Sequence, residues 1–347
     1  MPKPALKIIL AALTLAACSS GGDNGRETLT IYSPHGEEML DVFEKLYEQS
    51  HPGVDVQTVD MGSQEVLDRL RSERANPQAD VWWGAPAPTF EDAARDSLLE
   101  RFVPTWAGAL PPEAKSAQGL WHGTYLTPEV IAYNTEAVPS TEVPRDWDEV
   151  LDPKWRGKVL IRDPMASGTM RTIFGMVIHR SIRATGDTAQ GFEWLRRLDA
   201  QTKEYVLNPT MLYQKLARRE GVVTLWDMPD IETLKAKTKF PIDYVIPRSG
   251  TPLLVDAVAV VRGAPNPERA REFVEWVGET ETVVRAARES FRLPARTDIP
   301  EDSLPEGLRR ARREIRPEPL DWTLLQQKTP EWMRYWDEHV RGKGAGR

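Results

Sequence analysis

The stretch Val159-Leu-Ile-Arg-Asp-Pro-Met-Ala-Ser-Gly-Thr169 decides the fold that the sequence predicts. Val159 to Ile161 is a short apolar run, which is typical of a buried strand. From Met170 to Ile178 apolar residues recur at helical spacing. The loop between the two holds Ser, Gly and Thr where the helix begins. A strand, a loop and an amphipathic helix in this order predict an α/β unit.

The same pattern occurs near the start of the chain. Leu29–Tyr32, Val54–Val59 and Asp80–Trp83 are strand-like, and apolar residues recur at helical spacing between them. This βαβαβ order predicts a mainly parallel sheet with helices on both faces. Because the pattern restarts at Val159, we expect two α/β lobes rather than one long sheet.

Further strands are expected after the second unit, and two segments are expected to cross between the lobes. The crossovers are predicted at Tyr125–Tyr133 and Val245–Asp256. The additional strands are predicted at Gly221–Trp226, Ile242–Ile246 and Val255–Val261.

The first residues have the features of an export signal. Lys3 and Lys7 precede the apolar run Ile8–Ala17, whose ten residues are too few to span a bilayer as a helix. Leu15-Ala-Ala-Cys18 resembles a bacterial lipobox, which implies that residues 1–17 are removed and Cys18 is lipidated. An ordinary secretory signal cleaved nearby is the alternative. In both cases the protein is expected outside the cytoplasm, and a lipidated Cys18 would anchor it to a bacterial membrane.

Composition limits the partners and the class of fold. Residues 18–27 are rich in Ser, Gly, Asp and Asn and predict a flexible tether. The formal charge of −7 becomes −9 without Lys3 and Lys7, so we expect no nucleic-acid partner and no electrostatic attraction to anionic lipid. Cys18 is the single cysteine, which excludes a disulfide within the mature chain.

Five segments resemble signatures of one family, in the order that the family has them. The family is the extracellular solute-binding proteins of ABC transporters, in the branch of ferric-iron, phosphonate, phosphoglycerate and hexose-phosphate binders. The likeness covers most of residues 28–300. The segments are Thr127-Pro-Glu-Val-Ile-Ala-Tyr-Asn134, Leu151-Asp-Pro-Lys-Trp-Arg-Gly-Lys158 with Trp147 before it, Asp163-Pro-Met-Ala-Ser-Gly-Thr169, Ala264–Trp276 and Leu293-Pro-Ala-Arg296.

The resemblance implies a type II periplasmic-binding-protein fold, with a ligand cleft between two α/β lobes joined by hinge strands. It implies a discontinuous first lobe, formed by residues 28–128 and 253–347, and a second lobe formed by residues 129–252. It also implies a monomer without a cofactor that binds a small solute and docks on an ABC permease in the membrane.

Strand-to-helix loops are expected to face the cleft, since ligands of α/β sheets bind at the carboxyl ends of strands. Four such loops are predicted at Tyr32–Gly36, Met61–Gln64, Trp83–Pro86 and Asp163–Thr169. The last combines two hydroxyls and a glycine at a helix N-terminus, which favours phosphate-like anions. Helix capping by Ser63 and Ser167 is the alternative role. The candidate ligand-binding residues are Ser33, His35, Ser63, Trp83, Gly84, Ser167, Gly168, Thr169, Trp226, Asp227 and Asp256.

Three of these candidates lie outside the four loops. Trp226 and Asp227 place an apolar ring beside a carboxylate, which suits sugar hydroxyls or a cationic amine, although core packing and capping are alternative roles. Asp256 interrupts the apolar run Leu253–Val261, so it is expected either to line the cleft at the hinge or to be neutralised by an arginine such as Arg248. Trp82 and Trp83 alternate faces, which makes one a core residue and the other a candidate for the cleft.

The resemblance also allows a comparison with the residues that bind ferric iron in this branch. Ferric binders of the branch use a loop His, a Glu after the third strand and a consecutive Tyr pair in the second lobe. Here Gly36 stands at or near the His position with His35 before it, Ala85 stands at the Glu position, and Leu225-Trp-Asp-Met-Pro229 has no Tyr pair. We therefore predict no metal site, and a ferric-iron-binding protein is the less favoured alternative.

No catalytic residues are predicted. The sequence has no Gly-x-Ser-x-Gly elbow and no His-Glu-x-x-His motif, and its one cysteine lies in the export signal. A periplasmic sensor that docks on a histidine-kinase receptor is a further alternative. The preferred hypothesis is a lipid-anchored protein that captures a small anionic solute, such as a phosphonate or sugar phosphate, by hinge closure.

Overall fold

The computed structural model describes residues 25–344, so the predicted signal segment, Cys18 and most of the tether lie outside the described residues. The strands expected from the sequence are present within three residues of their predicted ends. The strands of the described residues are β1 (Glu27–Ser33), β2 (Val54–Asp60), β3 (Val81–Pro86), β4 (His122–Asn134), β5 (Val159–Arg162), β6 (Thr202–Val206), β7 (Val223–Asp227), β8 (Ile242–Val245), β9 (Leu253–Val260) and β10 (Leu293–Pro294).

The sheet is mixed, which corrects the prediction of a mainly parallel one. β1 pairs in parallel with β2 and β3, and β5 pairs in parallel with β6 and β7. β9 runs antiparallel to both β3 and β4, because the chain returns to the first lobe directly from the hinge without a crossover helix. The strand order is β2-β1-β3-β9-β4-β7-β5-β6.

β4 connects the two lobes. Its residues from His122 to Pro128 pair with β9, and its residues from Glu129 to Tyr133 pair with β7. The chain crosses back between β8 and β9, through residues 246–252. Both crossings lie in the segments where the sequence predicted them.

Helices cover both faces of the two half-sheets. In addition, short 3-10 helices occur at Thr105–Ala109, Pro112–Ala114, Trp147–Leu151, Pro153–Trp155 and Glu301–Ser303. None of the helices between residues 25 and 344 is both long and apolar enough to cross a membrane. The α-helices are α1 (Glu37–Ser50), α2 (Ser63–Ser72), α3 (Ala87–Arg95), α4 (Gly168–Thr185), α5 (Ala189–Gln201), α6 (Pro209–Ala217), α7 (Met228–Lys237), α8 (Pro267–Val277), α9 (Thr280–Glu289), α10 (Glu306–Glu314) and α11 (Trp322–His339).

The first lobe has an apolar core on each face of its sheet. Trp82 stacks on Phe90 of α3, with ring centroids 4.1 Å apart, on one face. Trp83 packs against Phe43 of α1 and Phe273 of α8 on the other. The alternation of strand side chains therefore sends both tryptophans into the core, and Trp83 does not reach the cleft.

The C-terminal helices belong to the core of the second lobe, although residues 253–347 were expected to complete the first lobe. β9 and α8 do lie in the first lobe. Met333 and Trp336 of α11 are fully buried in the second core, where Trp336 meets Phe174 of α4 at 5.4 Å between ring centroids. α4 is buried on most of its circumference, so its outer side requires a cover, which α11 supplies.

Candidate functional site

A cleft of about 330 Å³ separates the two lobes and is lined by residues of both. All four predicted strand-to-helix loops contribute to it. The lobes are in contact at its edge: a Cβ placed on Gly168 would lie 2.8 Å from Pro86 Cδ and 3.1 Å from Ser63 Oγ. The absence of a side chain at Gly168 thus allows the N-termini of α2 and α4 to approach each other across the cleft.

The helix-terminus group comprises Ser63, Arg162, Ser167, Gly168 and Thr169, which all line the cleft. Ser167 is the N-cap of α4, and its Oγ accepts a hydrogen bond from Met170 N at 3.2 Å. The hydroxyl proton of Ser167 remains free to donate. Within residues 25–344 the hydroxyl of Thr169 has no hydrogen-bond partner. The group therefore presents donors and the positive end of a helix dipole.

Arg162 is the charged member of the helix-terminus group. It ends β5, its side chain is 2 % exposed, and its Nη1 donates a long hydrogen bond of 3.4 Å to Val206 O. Burial lowers the pKa of its guanidinium, and no carboxylate of the described residues forms an ion pair with it. Arg162 is thus a buried cation at the cleft that forms no ion pair with the described residues, although Glu65 and Asp163 are close enough to raise its pKa.

Three of the predicted ligand residues do not line the cleft. They lie around His35 instead, which does line it. Ser33 Oγ accepts a hydrogen bond from His35 N at 3.1 Å, and Trp83 packs edge-on against the imidazole with ring centroids 4.8 Å apart. Gly84 has φ +92°, and a Cβ there would lie 2.8 Å from His35 Nε2. Ser33, Trp83 and Gly84 therefore position His35.

The aspartate group comprises Asp227, Asp230 and Asp256 with Arg292, and these residues also line the cleft. Arg292 Nη2 lies 3.0 Å from Asp230 Oδ1, and its Nη1 lies 4.0 Å from Asp256 Oδ2. The arginine beside Asp256 is therefore Arg292, and not Arg248 as the sequence suggested. Burial opposes ionisation of Arg292, but the three aspartates outweigh it and raise its pKa.

Aromatic residues fix Asp230. Its Oδ2 accepts hydrogen bonds from the Tyr213 hydroxyl at 2.7 Å and from Trp226 Nε1 at 3.2 Å. Trp226 Nε1 also lies 2.9 Å from the Tyr213 hydroxyl. The predicted site residue Trp226 thus lines the cleft with its ring held in place.

The other acids of the group are buried and weakly paired. Asp227 is the N-cap of α7, where its Oδ1 accepts from Asp230 N at 3.0 Å. Burial, followed by repulsion from Asp230, raises the pKa of Asp227 well above its usual value. Burial also raises the pKa of Asp256, although Arg292 and a 2.5 Å hydrogen bond from Thr127 Oγ1 oppose it.

Behind this group lies Glu129, which is fully buried on β4 opposite Asp227. Neither of its carboxyl oxygens has a hydrogen-bond partner among the described residues. Burial, and then the nearby aspartates, raise its pKa well above the usual value. Between residues 25 and 344 no set of three or more His, Cys, Asp or Glu side chains is arranged to hold a metal ion.

Sequence reasoning missed five functional candidates: Arg162, Tyr213, Asp230, Arg292 and Glu129. Arg162 directly follows a predicted strand, and Glu129 interrupts an apolar run, so both had sequence features that we used to select other candidates. The sequence around Arg292 gave no indication of a functional role, because its partner Asp230 is 62 positions away in the chain.

The comparisons with known proteins agree with this architecture. A probable ABC transporter periplasmic-binding protein, y4fP of Sinorhizobium fredii, is 25% identical over 320 residues, which is 91% of this chain and 87% of that protein. A putative 2-aminoethylphosphonate-binding periplasmic protein of Salmonella typhimurium is 26% identical, over 84% of this chain and 85% of the relative. The periplasmic binding protein AfuA from Actinobacillus pleuropneumoniae has a TM-score of 0.79 at 22% identity and covers 92% of this chain and 99% of its own.

These likenesses confirm the two-lobe fold and the resemblance that the sequence motifs carried. The family model of the bacterial extracellular solute-binding proteins matches residues 41–306. The expectation that the chain is not an enzyme is confirmed, since the family and the relatives are solute-binding proteins of transporters. The chain belongs to the bacterial extracellular solute-binding protein family, whose members are the solute-binding components of ABC importers.

Proposed function

We propose that this protein captures a small solute bearing a phosphate or phosphonate group for the membrane permease of an ABC importer. The observation that carries the proposal is Arg162, which is buried beside the N-terminus of α4 and forms no ion pair with the described residues. A buried unpaired charge is costly, so an anion that pairs with it is strongly favoured. A guanidinium can donate two parallel hydrogen bonds to a phosphate, which adds geometric selectivity.

The donors come from both lobes. Ser63 lies on the first lobe, whereas Ser167 and Thr169 lie on the second. An anion held by all three would link the lobes and stabilise the closed form, since a ligand shifts the equilibrium toward the state that it binds better. Enclosure strengthens each charged hydrogen bond, because water no longer screens it.

Two of the similar proteins support a phosphorus oxyanion. The name of the Salmonella protein refers to 2-aminoethylphosphonate, and the AfuA structure contains fructose-6-phosphate. Both compounds carry the same type of anionic group, although they differ in the rest of the molecule. This common feature supports the class of ligand that we propose for this chain.

Mass spectrometry of the ligand that survives purification tests the proposal, together with thermal shifts by phosphonates, sugar phosphates and ferric citrate. A ligand at a hundred times its Kd adds about 2.7 kcal/mol to the free energy of unfolding. We expect a phosphorus compound to stabilise the protein. Stabilisation by ferric citrate alone, with a purple-red charge-transfer band, would instead identify the protein as a ferric-iron-binding protein.

We further propose that lipidated Cys18 anchors the protein to a bacterial membrane, on its periplasmic side or at the cell surface. The lipobox-like segment before Cys18 supports this proposal. Stable attachment would then come from acyl chains, at about 0.8 kcal/mol per buried CH₂. Cys18→Ser should give a soluble extracytoplasmic protein with unchanged ligand affinity. If the variant still sediments with membranes after a high-salt wash, another segment is the anchor.

A further inference from the structure

When its acids are ionised, the aspartate group carries more negative charge than its contacting cation balances. The group has three acids, Asp227, Asp230 and Asp256, and Arg292 contacts two of them, Asp230 and Asp256. Asp227 is 5 % exposed and Asp256 is 7 % exposed, so bulk water cannot screen them fully. Asp60 of the first lobe adds another carboxylate to the cleft, and it is close enough to Asp230 to repel it.

The hydrogen bonds leave two carboxylate oxygens of this group open. Both oxygens of Asp230 are used, by Arg292 on one side and by Tyr213 and Trp226 on the other. Asp227 uses Oδ1 as a helix cap, and Asp256 uses Oδ2 with Thr127. Within residues 25–344 no donor meets Asp227 Oδ2 or Asp256 Oδ1.

Two buried polar side chains point independently to a ligand. His35 Nε2 and Ser290 Oγ have no hydrogen-bond partner among the described residues, and both side chains line the cleft. His35 is 6 % exposed and Ser290 is 1 % exposed. Buried polar atoms are nearly always paired in folded proteins. A solute that fills this part of the cleft would supply the missing partners.

Part of the cleft wall is aromatic. The ring of Trp226 lines the cleft, and the hydrogen bonds of its Nε1 hold the ring in place. Tyr213 stands edge-on to it, with ring centroids 6.2 Å apart. The face of an aromatic ring attracts a cation. The helix-terminus group offers the opposite chemistry, with donors and a guanidinium.

We propose that the captured solute is zwitterionic: its phosphate or phosphonate lies on the helix-terminus group, and a protonated nitrogen is bound by Asp227 and Asp256. This rests on the proposed function, because the anion defines the solute. The nitrogen compensates the excess negative charge and donates to the two open oxygens. An uncharged hydroxyl has one proton to donate, so it can meet only one of these oxygens, and it leaves the charge uncompensated.

Matched ligand pairs test the nitrogen apart from the anion. The pairs are 2-aminoethylphosphonate with 2-hydroxyethylphosphonate, and glucosamine 6-phosphate with glucose 6-phosphate, measured by calorimetric titration. Each pair differs in one ammonium group for one hydroxyl. In the pair that fits the cleft, we expect the ammonium member to bind at least tenfold more tightly.

Variants of the protein then show which residues cause the preference for the ammonium ligand. Asp227→Asn keeps the cap on α7, because Asn is an equally good N-cap. Asp227→Asn and Asp256→Asn should each reduce the ammonium preference to less than threefold. Glu38→Gln is the matched control, since Glu38 is an exposed acid at the cleft that lies outside the aspartate group. It should leave the preference unchanged.

The outcomes separate the two proposals. Equal affinity for both members of a pair, or a preference for the hydroxyl, overturns the zwitterion and leaves the phosphorus anion in place. An ammonium preference that survives both Asp substitutions overturns the assignment of these residues. If all four compounds fail to bind while ferric citrate binds, the proposed function itself is wrong, and the zwitterion with it.

Discussion

The two residue groups that line the cleft differ in how they are built. The helix-terminus group uses backbone N–H groups, hydroxyls and Arg162, and three of its members are consecutive in the chain. The aspartate group unites α7, β9 and the segment that contains Arg292 through side-chain contacts. The first group offers donors, whereas the second offers mostly acceptors. A cleft with opposite chemistry in two groups selects a ligand by charge distribution as well as by size.

The two groups also differ in how much each reduces the stability of the unliganded protein. Helix termini provide their donors as a consequence of helix formation, so little is lost when the cleft is empty. The aspartate group buries acids close together, and burial first, with repulsion from Asp230 adding to it, raises the pKa of Asp227 and Asp256. Binding a cation removes part of this destabilisation. We therefore expect substitutions in the two groups to act differently on stability and on affinity.

The largest effect is expected from Arg162→Met. Removing one partner of an enclosed charge pair costs about 2–5 kcal/mol, so affinity for the best phosphorus ligand should fall by more than about 30-fold. Without ligand the variant should melt at the same temperature or higher, because a buried unpaired guanidinium is removed. Calorimetric titration and thermal melting measure the two quantities.

Arg171→Met is the control for this prediction. Arg171 lies one turn along α4 and lines a different cavity, against α11, so the variant should keep its affinity. Equal losses in the two variants would mean that general positive charge near α4, and not Arg162, attracts the anion.

The next effect is expected from the hydroxyls. Hydrogen bonds to charged groups contribute about 1.5–3 kcal/mol, so Ser167→Ala and Thr169→Ala should each weaken binding by roughly 10- to 150-fold. Ser167 also caps α4, and its loss should lower stability by about 1 kcal/mol. Thr169→Ala should not lower it. Unchanged affinity in both variants would show that the anion does not bind at the N-terminus of α4.

Closure itself is tested by Gly168→Ala. The added Cβ would lie 2.8 Å from Pro86 Cδ, so the lobes could not approach as closely. Overpacking costs about 1–3 kcal/mol, which predicts affinity lower by roughly 5- to 150-fold with little change in the melting of the unliganded protein. Gly175→Ala on the same helix is the control, because its Cβ would meet its nearest neighbour at 3.4 Å. A loss of the same size at Gly175 would point to α4 rather than to closure.

The sequence predicted the loops of the cleft better than the side chains that turn into it. The rule that ligands lie at the carboxyl ends of strands located Ser63 and Thr169, which line the cleft. The same rule cannot show that Ser33 and Trp83 turn away. Their orientation depends on how His35 packs, and that is a tertiary contact.

The C-terminal helix α11 shows the same limit of sequence-based prediction. The sequence of α11 does not show which lobe its apolar residues cover. The answer depends on α4, whose outer side also carries buried residues such as Phe174. Arg292 is a comparable case, since its role is defined by aspartates that are distant in sequence.

The smallest effect is expected from Asp60, which extends the negative charge of the aspartate group onto the first lobe. Asp60 is open to the water of the cleft but flanked by protein, and this partial burial raises its pKa to about 6 from a usual 3.8. A raised pKa means that the folded state binds the proton more tightly than the unfolded state. Ionisation of Asp60 therefore opposes folding as pH rises from about 4 to about 6.

Asp60→Asn should consequently melt at a slightly higher temperature than the unsubstituted protein at pH 7.5, and at the same temperature at pH 4. The effect is small because water in the cleft screens an exposed carboxylate. Glu113→Gln, an exposed acid away from the cleft, should show no such pH dependence. If Asp60→Asn lowers the melting temperature at pH 7.5, the ionised carboxylate is stabilised in the folded protein. The excess of negative charge would then be confined to the second lobe and Asp256, and the two groups of the cleft would be less opposed than the structure indicates.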